Sequence, residues 1–262
     1  MPIVPCEILE SGDTPTYPCA KADSLAREMT ALIQEQTVDS ALHSILPDIA
    51  TQPNEKRFPV FRHFAVNPNN VHDTALGAYS VGPMFTGSNS GIVMIYAIPY
   101  LSFDVAKLHT HPKKSYSAPS AEDIYELISK KLEADNFLGT FVVAADSSQY
   151  ALTITDYDKA RSFFYTQDQF LDGDKWNENS EIGKAFKDAS KYFKEKYKNY
   201  DTTTRRNHAY EMAMAAVLTQ FNSGVILHKK DPATGEFKPL VVKTVIPNPN
   251  KPKKKQYVQD CL

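Results

Sequence analysis

The sequence predicts a mixed α/β fold, because its apolar residues follow a helical spacing in some segments and a strand-like pattern in others. Between residues 20 and 165, apolar residues at helical spacing alternate with short runs rich in β-branched and aromatic residues. Turn-forming residues separate these runs. The chain has 262 residues, of which 42% are hydrophobic and 23% charged. That length suits one large domain, or one domain with additional segments.

The first half of the chain predicts helices followed by strands. Residues 1–19 are proline-rich and predict an irregular lead-in. Helical spacing starts at Ala20, a break is expected at Asp39 and Ser40, and Pro47 is expected to end a second helix. Strand-like runs cover residues 58–66, 75–85, 91–98 and 102–108. Pro59 favours an edge position or a strand entry for the first run.

A helix with apolar residues on one face is expected after Ser120, and two strands, 137–145 and 149–155, follow it. Asp156 is expected to cap a short helix that closes a domain over residues 20–165. Residues 166–250 then predict a helical and β-hairpin C-terminal extension. Its expected elements are helices over 181–200 and 205–221 and a hairpin over 225–228 and 237–246. Residues 251–262 predict a tail.

Charge and cysteine content limit the possible partners and compartments. The net charge of −2 gives no reason to propose nucleic acid or a membrane surface as a partner, and no apolar run is long enough to span a membrane. The first residues do not resemble a signal peptide, so a cytoplasmic protein or the mature fragment of an exported one is expected. Cys6 and Cys19 could pair in an oxidising compartment, but free thiols are favoured for these and for Cys261.

Two histidines one residue apart, His109 and His111, follow the strand-like run 102–108. Residues i and i+2 of a strand point to the same face, so both imidazoles can reach one ion. Asp123 follows on the first turn of the next predicted helix. Two histidines and one aspartate can hold zinc and leave a coordination position for water. The alternative is a metal-free site in which Ser120 and Asp123 only cap the helix.

The sequence His-Thr-His-Pro at 109–112, followed by Pro-Ser at 119–120 and then Asp123, resembles the JAMM signature of the JAB/MPN metalloprotease family. That signature consists of His-(Ser/Thr)-His, a short spacer and Ser-x-x-Asp, with a glutamate well upstream. The spacer here, residues 112–119, is one residue longer than the family pattern. An insertion of one residue in a loop costs little free energy, so we treat it as variation.

The resemblance implies a deaminase-like α-β-α core with zinc bound by His109, His111 and Asp123. It also implies that a zinc-activated water attacks a peptide or isopeptide carbonyl, and that Ser120 helps to stabilise the oxyanion. The expected substrate is a peptide or protein, with a ubiquitin-like C-terminal tail as one option. Two alternatives stay open: a non-catalytic JAB/MPN-like binding module that keeps a metal, and a metal-free α/β binding protein.

Glu55 is the candidate for the upstream glutamate, because it is the only glutamate between Glu35 and His109. A carboxylate beside a metal-bound water can take its proton and pass it to the leaving amine. The neighbours of Glu55 are charged, whereas the family has small, glycine-rich residues there. The alternative is a solvated glutamate in a charged turn.

Overall fold

The computed structural model describes residues 19–51, 53–67, 70–87, 101–245 and 255–260. Its helices are α1 (Cys19–Gln34), α2 (Gln36–Ile49), α3 (Ala121–Glu133), α4 (Tyr157–Phe164), α5 (Gln167–Phe170), α6 (Glu181–Lys196) and α7 (Thr202–Gln220). Its strands are β1 (Lys56–Asn67), β2 (Asn70–Val81), β3 (Phe85–Thr86), β4 (Ser102–His111), β5 (Gly139–Ala144), β6 (Gln149–Ile154), β7 (Leu171–Asp172), β8 (Lys175–Trp176), β9 (Val225–Lys230), β10 (Phe237–Val245) and β11 (Gln256–Asp260). None of the described helices is both long enough and apolar enough to span a membrane.

Most of the described strands belong to one mixed sheet. Its order is β11-β10-β9-β6-β5-β4-β1-β2, and β3 pairs with β1 beside this path. Strands β4 and β5 are parallel, and the other neighbouring pairs are antiparallel. Strands β7 and β8 form a separate hairpin. The predicted mixed α/β class is therefore confirmed.

Helices cover both faces of the sheet. Helices α1 and α2 pack on one face, where Met29 and Leu42 join a buried cluster that includes Phe141. Helices α3 and α7 pack on the other face, where Ile124 belongs to a second cluster together with Val142. Phe141 and Val142 are successive residues of β5 and therefore point to opposite faces. This three-layer arrangement buries the central strands β4 and β5 on both sides.

Residues on either side of the expected boundary at 165 share this sheet. Strand β9 pairs with β6 through Leu152 and Leu227, and β10 continues from β9. Helix α7 is buried along most of its length and belongs to the same apolar cluster as α3. The helical and hairpin region is therefore continuous with the core that holds β4 and α3.

Two predictions based on the helical pattern near the N-terminus are wrong. The break between the first helices lies at Glu35, and Asp39 lies in the first turn of α2 rather than in a linker. An acidic residue is favourable there because it faces the positive end of the helix dipole. Pro47 lies inside α2, which continues to Ile49. A proline in the final turn removes one backbone hydrogen bond but does not force the helix to stop at once.

The prediction of an edge position or a strand entry for Pro59 is also wrong, because β1 lies between β2 and β4 and Pro59 is its fourth residue. Pro59 is opposite Lys107, and the pairing becomes irregular between Val60 and Phe61. Such bulges are where sheets tolerate proline, since a ladder hydrogen bond is already lost there. The carbonyl of Pro59 still accepts a hydrogen bond from the backbone N–H of Gly82, at 2.9 Å.

Three further expectations concern the least regular parts of the chain. The expected strand over 91–98 lies outside the described residues. The expected tail contains β11, which pairs with β10 from Val241↔Asp260 to Val245↔Gln256. Cys19 is disulfide-bonded, which contradicts the free thiol expected at this position. Cys6 and Cys261 lie outside the described residues.

Candidate metal centre

Strand β4 places His109 and His111 in the interior of the protein. It extends three residues beyond the expected run 102–108, so both histidines lie within the strand. His109 is 0% exposed and His111 is 6% exposed. The neighbouring strands β1 and β5 hydrogen-bond to β4 over this stretch. Both imidazoles point to the face that α3 covers.

Helix α3 brings Asp123 to the two histidines from its first turn. Asp123 Oδ1 lies 3.0 Å from His109 Nε2, and Asp123 Oδ2 lies 3.5 Å from His111 Nε2. The two Nε2 atoms are 3.3 Å apart. Asp123 is only 3% exposed. These three side chains therefore form a buried His-His-Asp group that can hold a metal ion.

A capping box fixes the orientation of Asp123. Ser120 is the N-cap residue of α3, and its Oγ accepts a hydrogen bond from the Asp123 backbone N–H at 3.1 Å. The backbone N–H and the Oγ–H of Ser120 both donate to Asp123 Oδ2, at 2.7 Å and 2.8 Å. Both acceptor positions on Oδ2 are thus used, which leaves Oδ1 as the oxygen best placed for an ion.

The hydrogen bond at the other ring nitrogen of His111 fixes its tautomer. His111 Nδ1 lies 2.8 Å from the backbone carbonyl oxygen of Tyr116. A carbonyl only accepts, so Nδ1 carries a proton, and in neutral His111 the Nε2 lone pair points toward Asp123. Donation from the second ring nitrogen to a carbonyl is the usual support of a metal-ligating histidine. Nitrogen lone pairs and a carboxylate that converge this closely require a proton or a cation between them.

The charges of the three residues act on one another. Burial raises the pKa of Asp123. The positive charges of His109 and His111 and their hydrogen bonds to the carboxylate have the opposite effect and prevail, so the pKa lies well below its usual range. Burial lowers the pKa of His109, and Asp123 offsets this only in part. Burial also lowers the pKa of His111, but Asp123 and the charge of Glu55 more than compensate, so the net shift is upward. The group thus holds a buried anion that a bound cation would neutralise.

Glu55 immediately precedes β1, the strand that pairs with β4 beside the two histidines. Arg57 is paired with His109 in the antiparallel register, and the Lys56 N–H donates to Thr110 Oγ1 at 2.9 Å. Continuing this register places Glu55 opposite His111, and directly opposed residues point to the same face. The Glu55 side chain is 13% exposed, so it is not the solvated glutamate of the alternative interpretation.

Glu55 is the first member of a chain of ion-paired side chains that was not expected from the sequence. Arg57 donates to Glu55 Oε2 at 3.1 Å and to Glu126 Oε2 at 3.2 Å. Lys107 forms a further ion pair with Glu126. Lys107 and Arg57 lie on the same face of their strands as His109. The sequence pattern does not indicate that the carboxylate of Glu126, on α3, contacts both of these cations. Glu126 is the position that sequence reasoning missed.

Ser120, the predicted oxyanion donor, is occupied by its capping role. Its hydroxyl hydrogen points to Asp123 Oδ2, so it could stabilise an oxyanion only after leaving this partner. Its position next to the His-His-Asp group agrees with the sequence pattern, and its catalytic role stays a prediction.

Comparison with known proteins assigns the chain to no family. No protein-family model matches the chain, and no curated protein matches it either.

Proposed function

We propose that this protein is a zinc-dependent hydrolase of the JAMM type that cleaves a peptide or isopeptide bond. The observation that carries the proposal is the convergence of His109 Nε2, His111 Nε2 and the Asp123 carboxylate in one buried site. The three-layer α/β/α arrangement, with this site at its central strands, supports the deaminase-like JAB/MPN fold that the sequence signature implies.

The donor set and its spacing favour zinc. Two imidazole nitrogens and one carboxylate are a common protein ligand set for a catalytic zinc ion, with the fourth position left to water. Ligands about 2.0 to 2.1 Å from a tetrahedral zinc ion lie about 3.3 Å from one another. The closest approaches here, 3.0, 3.3 and 3.5 Å, bracket that value. A zinc ion at this site would lower the pKa of a bound water and polarise the scissile carbonyl.

Glu55 would act as general base and then as general acid. Its carboxylate would accept a proton from the attacking water at one oxygen and deliver that proton to the nitrogen of the leaving amine. Arg57 holds Glu55 Oε2 at 3.1 Å and so fixes the direction of the carboxylate. Burial of the ligand residues limits the water that can compete for their donor atoms.

The two alternative functions differ from the proposal in whether they require Glu55 near the site and whether they require a bound metal. A non-catalytic module that keeps a metal places no requirement on Glu55, whereas here the Glu55 side chain is largely shielded from solvent. Continuing the β1–β4 pairing two residues beyond Arg57 and His109 places Glu55 opposite His111, which favours a catalytic role. A metal-free binding protein uses Ser120 and Asp123 only as a helix cap, and the capping box is indeed complete. Metal content therefore separates the proposal from this second alternative.

The first test is metal analysis of the purified protein after dialysis against zinc. The wild type should hold about one zinc ion per chain, and His109→Ala and Asp123→Ala should hold little or none. Glu122→Gln is the matched control, because Glu122 is the exposed neighbour of Asp123 on the same helical turn. Well-folded wild type without zinc, or equal zinc in the ligand variants, would contradict the proposal.

The second test separates metal binding from catalysis. Glu55→Gln should keep its zinc but lose hydrolysis of peptide and ubiquitin-like fusion substrates by about 10²- to 10⁴-fold, the usual contribution of general acid–base catalysis. An unchanged rate in this variant would assign the proton transfer to another group.

A further inference from the structure

Helix α3 carries a second inward-facing carboxylate, Glu126, which the proposed chemistry does not use. Glu126 lies three residues after Asp123, so both side chains are on the same side of the helix. Asp123 faces the two histidines, whereas Glu126 faces Arg57 of β1 and Lys107 of β4. The side chains of these two cations are 7% and 3% exposed, and that of Glu126 is 30% exposed. The contacts of Glu126 are therefore largely shielded from water.

Arg57 joins the carboxylate of Glu126 to that of Glu55. Its Nη1 donates to Glu126 Oε2 at 3.2 Å, and its Nη2 donates to Glu55 Oε2 at 3.1 Å. Each terminal nitrogen of the guanidinium therefore has its own carboxylate partner. Because a guanidinium is planar and rigid, the position of one carboxylate influences where the other is held.

Glu126 is occupied at both of its oxygens. Oε2 accepts from Arg57, and Oε1 forms an ion pair with Lys107. Burial raises the pKa of Glu126, but the charges of Lys107 and Arg57 outweigh this effect, so the pKa is lowered and the carboxylate stays ionised. Glu55 differs, because its Oε1 has no hydrogen-bond partner among the described residues. One oxygen of Glu55 is thus available for a proton.

Removal of Glu126 would change how Arg57 binds Glu55. Glu55 would then be the one carboxylate partner of Arg57 among the described residues. Arginine and a carboxylate commonly pair through two parallel N–H···O bonds, which use both carboxylate oxygens. Such a pair would cover Glu55 Oε1 as well as Oε2. Glu126 therefore competes for Arg57 and keeps the second oxygen of Glu55 open.

We propose that Glu126 is a positioning residue for the hydrolysis, because it binds one terminal nitrogen of Arg57 and so leaves Glu55 Oε1 free to transfer the proton. This inference rests on the proposed function, in which Glu55 is the general base. Glu126 acts through Arg57, and this role needs no contact with the metal or the substrate. Lys107 supports the role, since it holds the other oxygen of Glu126.

Crystal structures of the metal-free protein test the contact itself and require no turnover. The wild type should show Arg57 in contact with one oxygen of Glu55. The double variant Lys107→Met/Glu126→Leu replaces an ion pair by apolar side chains of similar size, so no unpaired charge is left in its place. In this variant Arg57 should bind both oxygens of Glu55. A single contact between Arg57 and Glu55 in the variant would overturn the inference.

Kinetics of the zinc-loaded proteins test the consequence, with the same peptide and ubiquitin-like fusion substrates. Glu126→Gln should bind zinc and keep the KM of the wild type, but its kcat should fall by about tenfold or more, because proton transfer belongs to the chemical step. The double variant should show the same loss. Glu133→Gln is the matched control and should behave like the wild type, since Glu133 also pairs with a lysine on α3 but is 61% exposed.

A double-mutant cycle separates positioning from a general loss of stability. In the Glu55→Gln background, Glu126→Gln should not lower kcat further, because both residues serve one proton transfer. Additive losses, or an unchanged kcat in Glu126→Gln, would overturn this inference and leave the proposed function intact. A wild type that holds no zinc or does not hydrolyse these substrates would overturn the proposed function itself, so the two failures are distinguishable.

Discussion

The hydroxyl group of Ser120 serves the helix and the candidate metal centre at the same time. It accepts from the backbone of Asp123 and donates to the Asp123 carboxylate. The first bond starts α3, and the second keeps Asp123 Oδ2 occupied so that Oδ1 faces His109. One residue therefore links the stability of the helix to the geometry of the ligands.

Replacing Ser120 by alanine should weaken both properties. We expect a loss of about 1 kcal/mol in the free energy of unfolding, the usual cost of an N-cap serine. Zinc affinity should fall by about 10- to 100-fold, as when a group that orients a ligand is removed. Denaturation and chelator competition measure the two effects. Ser180→Ala is the matched control, because Ser180 caps α6 in the same way but lies outside the centre. Equal zinc affinity in both variants would contradict the linkage.

His228 gives the protein a residue-scale dependence of stability on pH. It is fully buried in β9, its Nε2 lies 2.8 Å from Thr153 Oγ1, and burial lowers its pKa from 6.5 to about 3. Between pH 6.5 and about pH 3, His228 is protonated in the unfolded chain but neutral in the folded protein. The stabilisation is therefore complete above the unfolded pKa of 6.5 and is lost as the pH falls toward 3.

We expect this term to lower the free energy of unfolding by about 1.4 kcal/mol per pH unit below the unfolded pKa. His228→Gln lacks the titrating group, so its stability should fall less steeply with acid than that of the wild type. Urea unfolding of both proteins between neutral pH and mildly acidic pH gives the comparison. Parallel profiles would mean that the buried imidazole does not control this part of the curve.

At the scale of elements, α7 supports the loop that carries the Tyr116 carbonyl. The Tyr210 ring stacks on the Tyr116 ring, with centroids 4.0 Å apart and planes 16° from parallel. The guanidinium of Arg206 lies 5.0 Å from the centre of the same ring, and Asn207 holds Ser117. Three residues within little more than one turn of α7 therefore fix the loop whose carbonyl orients His111.

Removing this stack should disturb the metal centre without changing a ligand. Tyr210→Ala should lower zinc affinity by about tenfold or more, since the carbonyl that orients His111 loses its support. Cobalt-substituted protein should also show an altered visible spectrum, which a purely global loss of stability would not produce. Tyr210→Phe keeps the stacked ring and should behave like the wild type. An alanine variant with the wild-type affinity and spectrum would refute the role of α7.

The helices and strands with clear periodicity were predictable from the sequence. Strand β4 and helix α3 were expected because apolar residues at the correct spacing mark them, and a serine marks the start of α3. The positions of Pro47 and Pro59 were not predictable in this way. Statistical preferences for proline do not take the neighbouring strands into account. The bulge beside Pro59 arises from the pairing of β1 with β4.

The same division applies to the candidate site. His109, His111 and Asp123 could be named from the sequence because strand alternation and the first turn of a helix bring them together locally. The register of β1 against β4 brings Glu55 near them, and the ion pairs of Arg57 and Glu126 follow from tertiary packing. Local patterns carry no information on such contacts.

At the scale of the whole molecule, the sheet unites the two regions that the sequence separates at residue 165. Strand β6 uses one edge to pair with β5 and the other to pair with β9. Tyr150 donates to Glu211 at 2.5 Å, which joins β6 to α7 in the interior. The apolar cluster around α3 includes Met214 and Val217 of α7. The packing around the candidate metal centre thus depends on residues beyond 200.

A fragment that ends at residue 165 should therefore fail to fold as an independent metal-binding domain. It would leave the β6 edge without a partner, expose the face that α7 covers and remove the support of the Tyr116 loop. We expect no cooperative unfolding transition and poor dispersion in its NMR spectrum. Co-expression with residues 166–262 should restore both, together with zinc binding. A fragment that unfolds cooperatively and binds zinc by itself would show that residues 20–165 carry an autonomous domain, with the later strands added to a sheet that is already stable.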